Sequence, residues 1–250
     1  LDYPLYGNNG TREFNTTSDF GRNYTEGKFS KALVFDGKND YVNVGNFSDV
    51  VGKSQLTLEA WVNFNALTDF DGIISKIAGD TAQSLNFLLG GSGAGSNTGL
   101  FARVGNGGNT YGVTQGGILT TNNWHHVVMV FDGTGTGNAD RLKVYLDGAQ
   151  QGLTYTGTIP ATTGSNTASL FIGLYNVTTP ASLDGTIDEA TIWNISLSSD
   201  EIRRHYERGV LKLNLSYRTS ADNVTWTNWT GVPNNTLSVI TSNSIARSFQ

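Results

Sequence analysis

Residues 124–131 carry the sequence WHHVVMVF, a run in which both faces of an extended chain are largely apolar. A strand of that kind is buried on both sides, as in the centre of a two-sheet sandwich. Residues 141–146 (RLKVYL) alternate polar and apolar side chains and end in Asp147-Gly148. Asp-Gly tolerates the positive φ angles of a two-residue hairpin turn. This region therefore predicts antiparallel strands joined by a tight turn.

Further strands are predicted on either side of this hairpin. Residues 56–64 alternate over much of their length, and short β-type runs occupy 169–173 and 185–193. Glycine-rich loops at 90–99, 105–117 and 133–137 separate the strands, and the loop at 132–140 is expected to be an extended hairpin connection. Many short strands with regular turn signals predict an all-β antiparallel sandwich.

One short helix is predicted near the C-terminus. Ser198 and Glu201 match the two ends of a capping box, in which each side chain bonds the other residue's amide. Ile202 and Tyr206 supply an apolar stripe, and Gly209 is expected to end the helix. We therefore expect one domain at 1–209. Residues 210–250 contain too few strands for a core of their own and predict a truncated second β module or a strand extension.

Five motifs, in order, resemble the laminin-G-like, concanavalin A-like jelly-roll family, and a sixth resembles its closing helix. They are GKFSKALVFDG at 27–37, LEAWV at 58–62, WHHV at 124–127, VYLDG at 144–148, GTIDEATIW at 185–193 and LSSDEI at 197–202. The resemblance implies a two-sheet jelly roll over roughly residues 1–209, with the first strand of the family shortened here. This fold hosts lectins, glucanases, adhesins and spacers, so the resemblance alone does not select a function.

Composition excludes several classes of protein. Charged residues are 15% of the chain and the net charge is −5, which argues against a nucleic-acid-binding protein. Disordered chains combine high net charge with few aromatic residues, whereas this chain has a low charge and 11% aromatic residues. The longest apolar run, 127–131, is far shorter than the roughly 20 residues of a membrane-spanning helix. The absence of cysteine excludes a disulfide framework and a thiol nucleophile.

Sequons predict an extracellular or cell-surface glycoprotein. The chain holds ten Asn-x-Ser/Thr sequences among 25 asparagines, about twice the number that its serine and threonine content would give by chance. Residues 49–175 contain none of them. The candidate glycosylation sites are therefore confined to the two ends of the chain: Asn9, Asn15, Asn23, Asn46, Asn176, Asn194, Asn214, Asn223, Asn228 and Asn234.

No catalytic residue is predicted. A glucanase would carry closely spaced carboxylates on one strand face, as in a Glu-x-Asp-x-Glu run, and the sequence has none. Asp188 and Glu189 are neighbours, so a regular strand would point them to opposite faces. Asp184 could share a face with Asp188, although Gly185 between them suggests a turn. The chain is therefore expected not to be an enzyme.

A structural Ca²⁺ is implied by the resemblance. Related jelly-roll domains often hold calcium between the opening loop and the last long strand, which corresponds here to Asp188 with the turn of Asp36, Gly37 and Asp40. The alternative, also by resemblance, is a rim site at Asp69 and Asp71. The competing interpretation is that these aspartates form turns and solvated loops, since Asp is common in both.

Four residues beside glycine-rich loops are the candidate ligand-binding set. Sugar sites combine an aromatic platform with planar polar groups, and Arg103, Asn106, Asn109 and Tyr111 offer both within the sequon-free window. The alternative is that Arg103 and Tyr111 are ordinary strand residues. Trp61, Trp124 and Trp193 are expected in the core.

These observations predict a non-catalytic recognition or adhesion module that binds a glycan or a protein on a cell surface or in the matrix. The alternative is a structural subunit or spacer of a glycosylated surface layer or filament, which would self-assemble. A glycoside hydrolase is a third, less favoured class. Nucleic acid and membrane insertion are not expected.

Overall fold

The computed structural model describes residues 11–13, 24–68, 71–77, 85–91, 99–105, 109–175, 182–210, 215–222, 224–228, 230–231 and 245–249. Its strands, in chain order, are β1 (Thr11–Glu13), β2 (Tyr24–Glu26), β3 (Lys31–Asp36), β4 (Tyr41–Gly45), β5 (Gln55–Phe64), β6 (Gly72–Ile77), β7 (Leu85–Gly91), β8 (Leu100–Val104), β9 (Tyr111–Thr114), β10 (Trp124–Asp132), β11 (Leu142–Leu146), β12 (Ala149–Gln151), β13 (Leu153–Thr156), β14 (Leu170–Ile172), β15 (Asp184–Trp193), β16 (Leu215–Thr219), β17 (Thr230–Gly231) and β18 (Ile245–Phe249). The helices are α1 (Asn138–Arg141) and α2 (Ser199–Val210), and Ser48–Val50 forms a 3-10 turn.

Two antiparallel sheets form the sandwich. One has eight strands in the order β1-β4-β14-β6-β7-β8-β9-β13, and the other has seven in the order β12-β11-β10-β5-β15-β3-β2. Strands that are neighbours in a sheet are often far apart in sequence. For example, β5 lies between β10 and β15. The predicted all-β jelly-roll sandwich is confirmed.

The core lies between the two sheets and follows the two-residue period of the strands. On β5, Leu56, Leu58, Ala60, Val62 and Phe64 all belong to it and are essentially inaccessible to solvent. Alternate side chains on a strand point to opposite faces, so the residues between them lie on the outer face of the sheet. Burying several large side chains of this kind, at about 1.5–3 kcal/mol each, supplies the main force that holds the sheets together.

The outer face of the seven-stranded sheet is covered by α2. Ile202 is fully buried against Val128, Val130 and Tyr145, in a cluster separate from the main core. The predicted capping box is present: Ser198 N–H donates to Glu201 Oε2 at 2.8 Å, and Glu201 N–H donates to Ser198 Oγ at 3.3 Å.

The three predicted core tryptophans do not lie in the core between the sheets. Trp61 is buried on this outer face, in ring contact with Tyr206 of α2. Trp124 and Trp193 are only partly buried. The reason is strand alternation, since Ala60 and Val62 take the inward positions on either side of Trp61.

The β11–β12 turn matches its prediction, with Asp147 and Gly148 at φ values of 52° and 77°. The connection at 132–140 joins the antiparallel pair β10 and β11, as predicted, and it contains the short helix Asn138–Arg141. Asp140 accounts for that helix: its Oδ2 accepts the Gly137 N–H and the Thr136 hydroxyl, which holds the chain in a helical turn. An aspartate at this position bonds backbone amides that would otherwise lack partners.

Two glycines behave differently from their predictions. Gly185 lies inside β15 rather than in a turn, and a Cβ there would lie 2.3 Å from the Asn63 carbonyl oxygen on β5. Its lack of a side chain therefore allows close approach of two strands. Gly209 does not end α2, which continues to Val210. A glycine inside a helix costs only about 1 kcal/mol, which neighbouring interactions can offset.

The chain divides into two compact units, residues 1–206 and 207–250. The second contains a three-stranded sheet in the order β17-β16-β18. Within it, Asp222 accepts hydrogen bonds from the amides of Val224 and Thr225 and from the hydroxyl of Ser220, and these bonds hold the pKa of its carboxyl well below the usual range.

Candidate functional site

The outer face of the eight-stranded sheet carries an aromatic and cationic cluster. On β8, Ala102 and Val104 point into the core, so Phe101 and Arg103 lie on the outer face. The strand register places Arg103 opposite Tyr111 of β9. Phe101 and Tyr111 pack with ring centroids 4.9 Å apart.

Arg103 lies at the centre of this cluster. Its guanidinium carbon is 5.5 Å from the Phe101 ring centroid and 5.7 Å from that of Tyr111, which is the range of cation–π attraction. Nη1 donates to the Tyr175 hydroxyl at 3.1 Å, and Nη2 donates to Asn109 Oδ1. Only 8% of the residue is exposed. The guanidinium is therefore held rigidly by two aromatic rings and two neutral acceptors.

A groove of about 680 Å³ lies beside the cluster on the same face, along β9 and β13. Tyr111 and Val113 of β9 line it together with their cross-strand partners Thr156 and Thr154 of β13, with Gln115 and Gly152 beside them. Hydroxyl and amide groups next to an aromatic ring suit a ligand that presents both hydroxyls and an apolar ring face. No carboxylate or basic side chain is among the described residues that line the groove.

The structure brings three of the four predicted ligand residues together. Arg103 contacts both Asn109 and Tyr111, whereas Asn106 lies outside the described residues. Sequence analysis missed the threonines of β13, which the pairing of Thr156 with Tyr111 brings to the site. It also missed Phe101, which the two-residue alternation of β8 could have revealed. No local signal indicates Tyr175, because it comes from a segment distant in sequence.

Asp188 acts as an acceptor for two backbone amides. Its Oδ2 accepts the Phe29 N–H at 2.8 Å, and its Oδ1 accepts the Glu189 N–H at 2.9 Å. It does not lie on a regular strand, because a bulge separates Asp188 from Thr191 and Glu189 has a φ of 52°. The expectation that Asp188 and Glu189 point to opposite faces of a regular strand therefore does not apply.

The other predicted calcium ligands are at a different place along β15. Asp36 pairs with Asp184, four residues from Asp188, a separation of about 13 Å at 3.3 Å per residue. Gly37 N–H donates to the Leu183 carbonyl, and Asp40 Oδ2 accepts the Asp36 N–H. Oxygens that share one calcium must all lie about 2.3–2.6 Å from it. Asp188 therefore does not fit one calcium site with Asp36, Gly37 and Asp40.

The alternative metal pair is only partly described. Asp69 lies outside the described residues, and Asp71 is fully buried, where it accepts hydrogen bonds from the amide and the hydroxyl of Thr68. Within the part of the chain that the structure describes, no three His, Asp or Glu side chains are grouped so that they could hold a metal ion.

His125 links two elements at one end of β10. Its Nδ1 lies 2.9 Å from Asp147 Oδ2, and its Nε2 lies 2.9 Å from Thr120 Oγ1 and also accepts the Thr120 N–H. Asp147 Oδ1 accepts the His126 N–H. Through its bonds to His125 and to the His126 amide, Asp147 fastens the β11–β12 turn to β10.

Comparison with known families identifies the fold. A laminin-G-type family model, described as the concanavalin A-like lectin/glucanases superfamily, matches residues 36–203. The chain belongs to this superfamily. No curated protein matches its sequence. Among the described residues, none of the helices has the length and apolar character needed to cross a membrane.

Solved structures of similar fold include proteins of several kinds. Domain 4 of AbnA, a GH43 extracellular arabinanase of Geobacillus stearothermophilus, determined in complex with arabinotriose, has a TM-score of 0.52 and 20% identity over 72% of this chain and 79% of its own. A heptameric pentraxin of Limulus polyphemus has a TM-score of 0.52 and 16% identity over 68% and 78%. A mutant Trypanosoma rangeli sialidase has a TM-score of 0.52 and 16% identity over 76% of this chain and 30% of its own. At these identities the likeness is one of fold.

Proposed function

We propose that this chain is a non-catalytic glycan-binding module whose site is the groove beside Arg103, Asn109 and Tyr111. The observation that supports the proposal is the groove itself, which is lined by the Tyr111 ring and, on the adjacent strand β13, by Thr154 and Thr156. A sugar ring can pack an apolar face on Tyr111 while its hydroxyls exchange hydrogen bonds with Thr154 and Thr156.

The non-catalytic part of the proposal rests on the lining of the groove. Glycoside hydrolysis commonly uses two carboxyl groups, one on each side of the scissile bond. The described residues that line this groove include neither Asp nor Glu. Binding without cleavage is the activity that such a lining supports best.

The extracellular part of the proposal rests on the sequons. The described sequon asparagines, Asn46, Asn194 and Asn228, are all exposed, as N-glycosylation requires. The site lies in the window from 49 to 175, which contains no sequon. On a cell surface or in the matrix, such a module would carry no N-glycan on the strands that line its groove.

A glycan array on the purified chain tests the proposal, with Tyr111→Ala as the site variant. We expect Tyr111→Ala to weaken binding about tenfold, because an aromatic contact contributes about 0.5–1.5 kcal/mol beyond the area that it buries. Tyr24→Ala is the matched control, since Tyr24 is a half-exposed tyrosine on the other sheet. Circular dichroism checks that both variants are folded. If the wild type retains no glycan, or if both variants bind equally well, the proposal is wrong.

A further inference from the structure

Arg103 is a buried cation whose charge has no described counterion. The ion pairs of the described residues do not include it, and its two hydrogen-bond acceptors, the Tyr175 hydroxyl and Asn109 Oδ1, are both neutral. Removing a charge from water is costly unless an opposite charge compensates for it. The two neighbouring rings offset only part of that cost.

One edge of the guanidinium is incompletely bonded. Nε is buried and has no hydrogen-bond partner. Nε and Nη2 point their hydrogens in the same direction, so together they form the edge that binds a carboxylate through two parallel hydrogen bonds. In this structure Nη2 donates a hydrogen bond to Asn109 Oδ1. Asn109 is exposed, so its side chain can rotate away without disturbing the core.

We propose that the Nε–Nη2 edge of Arg103 binds the carboxylate of an acidic sugar, which replaces the side-chain amide of Asn109. This inference rests on the proposed function, because it assigns a ligand class to the same site. A carboxylate would satisfy Nε, take over the hydrogen bond from Nη2 and supply the missing negative charge. The ring that carries it would then extend over Tyr111, which contacts both Arg103 and the groove.

The surroundings favour an anion over a neutral sugar. No carboxylate is among the described residues of the groove, so an acidic ligand meets no like charge at close range there. Arginine rather than lysine suits this role, because its planar guanidinium matches the two oxygens of a carboxylate. The aromatic rings and Tyr175 hold that plane in a fixed orientation before the ligand arrives.

Matched pairs of glycans test the inference. The array carries uronate oligosaccharides with their carboxyl-reduced counterparts, and sialylated glycans with their desialylated counterparts. We expect the acidic member of at least one pair to bind about tenfold or more tightly than its neutral counterpart, and the preference to weaken as salt is added. Equal binding of both members overturns this inference and leaves the proposed function intact. Binding of neither class overturns both.

Two substitutions at Asn109 give a sharper test without altering the buried residues. Asn109→Asp places a carboxylate on the Arg103 edge from within the chain, so we expect acidic glycans to lose about tenfold or more in affinity. Asn109→Ala clears the edge and is expected to retain or strengthen acidic binding. Equal effects of the two substitutions on acidic glycans would contradict the inference.

Arg103→Gln is the complementary variant. It is expected to abolish the preference for the acidic member of a pair while neutral binding persists, and its melting temperature establishes whether it folds. If Arg103→Gln does not fold, the two Asn109 variants still decide the question, because Asn109 lies at the surface. A folded Arg103→Gln variant with an unchanged acidic preference would overturn the inference.

Discussion

At the scale of single residues, His126 is a buried histidine whose pKa is strongly lowered. Its ring is 1% exposed, packs 5.1 Å from the Trp61 ring, and leaves Nδ1 without a hydrogen-bond partner. Burial, with a smaller repulsion from His205, lowers its pKa from 6.5 to about 4, although Asp147 acts in the opposite direction. Glu59 Oε2 lies 4.0 Å from His126 Nε2 but 2.9 Å from His205 Nδ1, so it bonds His205 instead.

The lowered pKa predicts a loss of stability in acid. Between about pH 6.5 and pH 4 the unfolded state binds a proton at His126 that the folded state does not, so the free energy of unfolding falls as pH falls. From above pH 6.5 to pH 4, protonation of His126 is expected to lower the free energy of unfolding by about 3 kcal/mol, with little further change below pH 4. Urea unfolding at several pH values measures this change. His126→Phe keeps the ring contacts and should show a smaller loss over the same interval; equal losses would contradict the assignment.

At the scale of elements, the strands with strong patterns were the most predictable. The 56–64 and 124–131 predictions match β5 and β10 to within one residue at each end, because a continuous apolar or alternating pattern marks a buried strand directly. The register between distant strands could not be predicted. The pairing of Asp36 with Asp184 depends on contacts about 150 residues apart in sequence.

The same distinction between local and long-range information applies to the residues of the candidate site. Arg103 and Tyr111 lie on adjacent strands joined by a short loop, so their proximity follows from local sequence. The contributions of Tyr175 and of β13 depend on how the whole sheet is ordered, and no local pattern carries that information.

The β3–β15 register also bears on the calcium that the family resemblance implies. If one ion bound Asp188 together with Asp36, it would stabilise the native state, and its removal would lower the melting temperature. Because the register separates these two residues along β15, we expect the same melting temperature in EDTA and in millimolar calcium. Differential scanning calorimetry makes the comparison, and a clear decrease in EDTA would show that calcium is bound.

At the scale of the whole molecule, the distribution of sequons and the position of the groove agree. All ten sequons lie outside 49–175, while the groove and the Arg103 cluster lie within that window. A glycan is bulky and hydrated, so one attached beside the groove would block a ligand. No sequon lies in β8, β9 or β13, so these strands carry no N-glycan of their own.

A single substitution can reverse that arrangement. Thr154 is exposed on the groove wall and Thr156 follows two positions later, so Thr154→Asn introduces an Asn-x-Thr sequon inside the proposed site. Expressed in a glycosylating host, this variant should lose glycan binding, because the attached sugar fills the groove. Made in a host without N-glycosylation, the same variant lacks only the Thr154 hydroxyl, so it should bind clearly more tightly than its glycosylated form. Intact mass spectrometry confirms the modification. Full binding by the glycosylated variant would show that ligands bind elsewhere on the molecule.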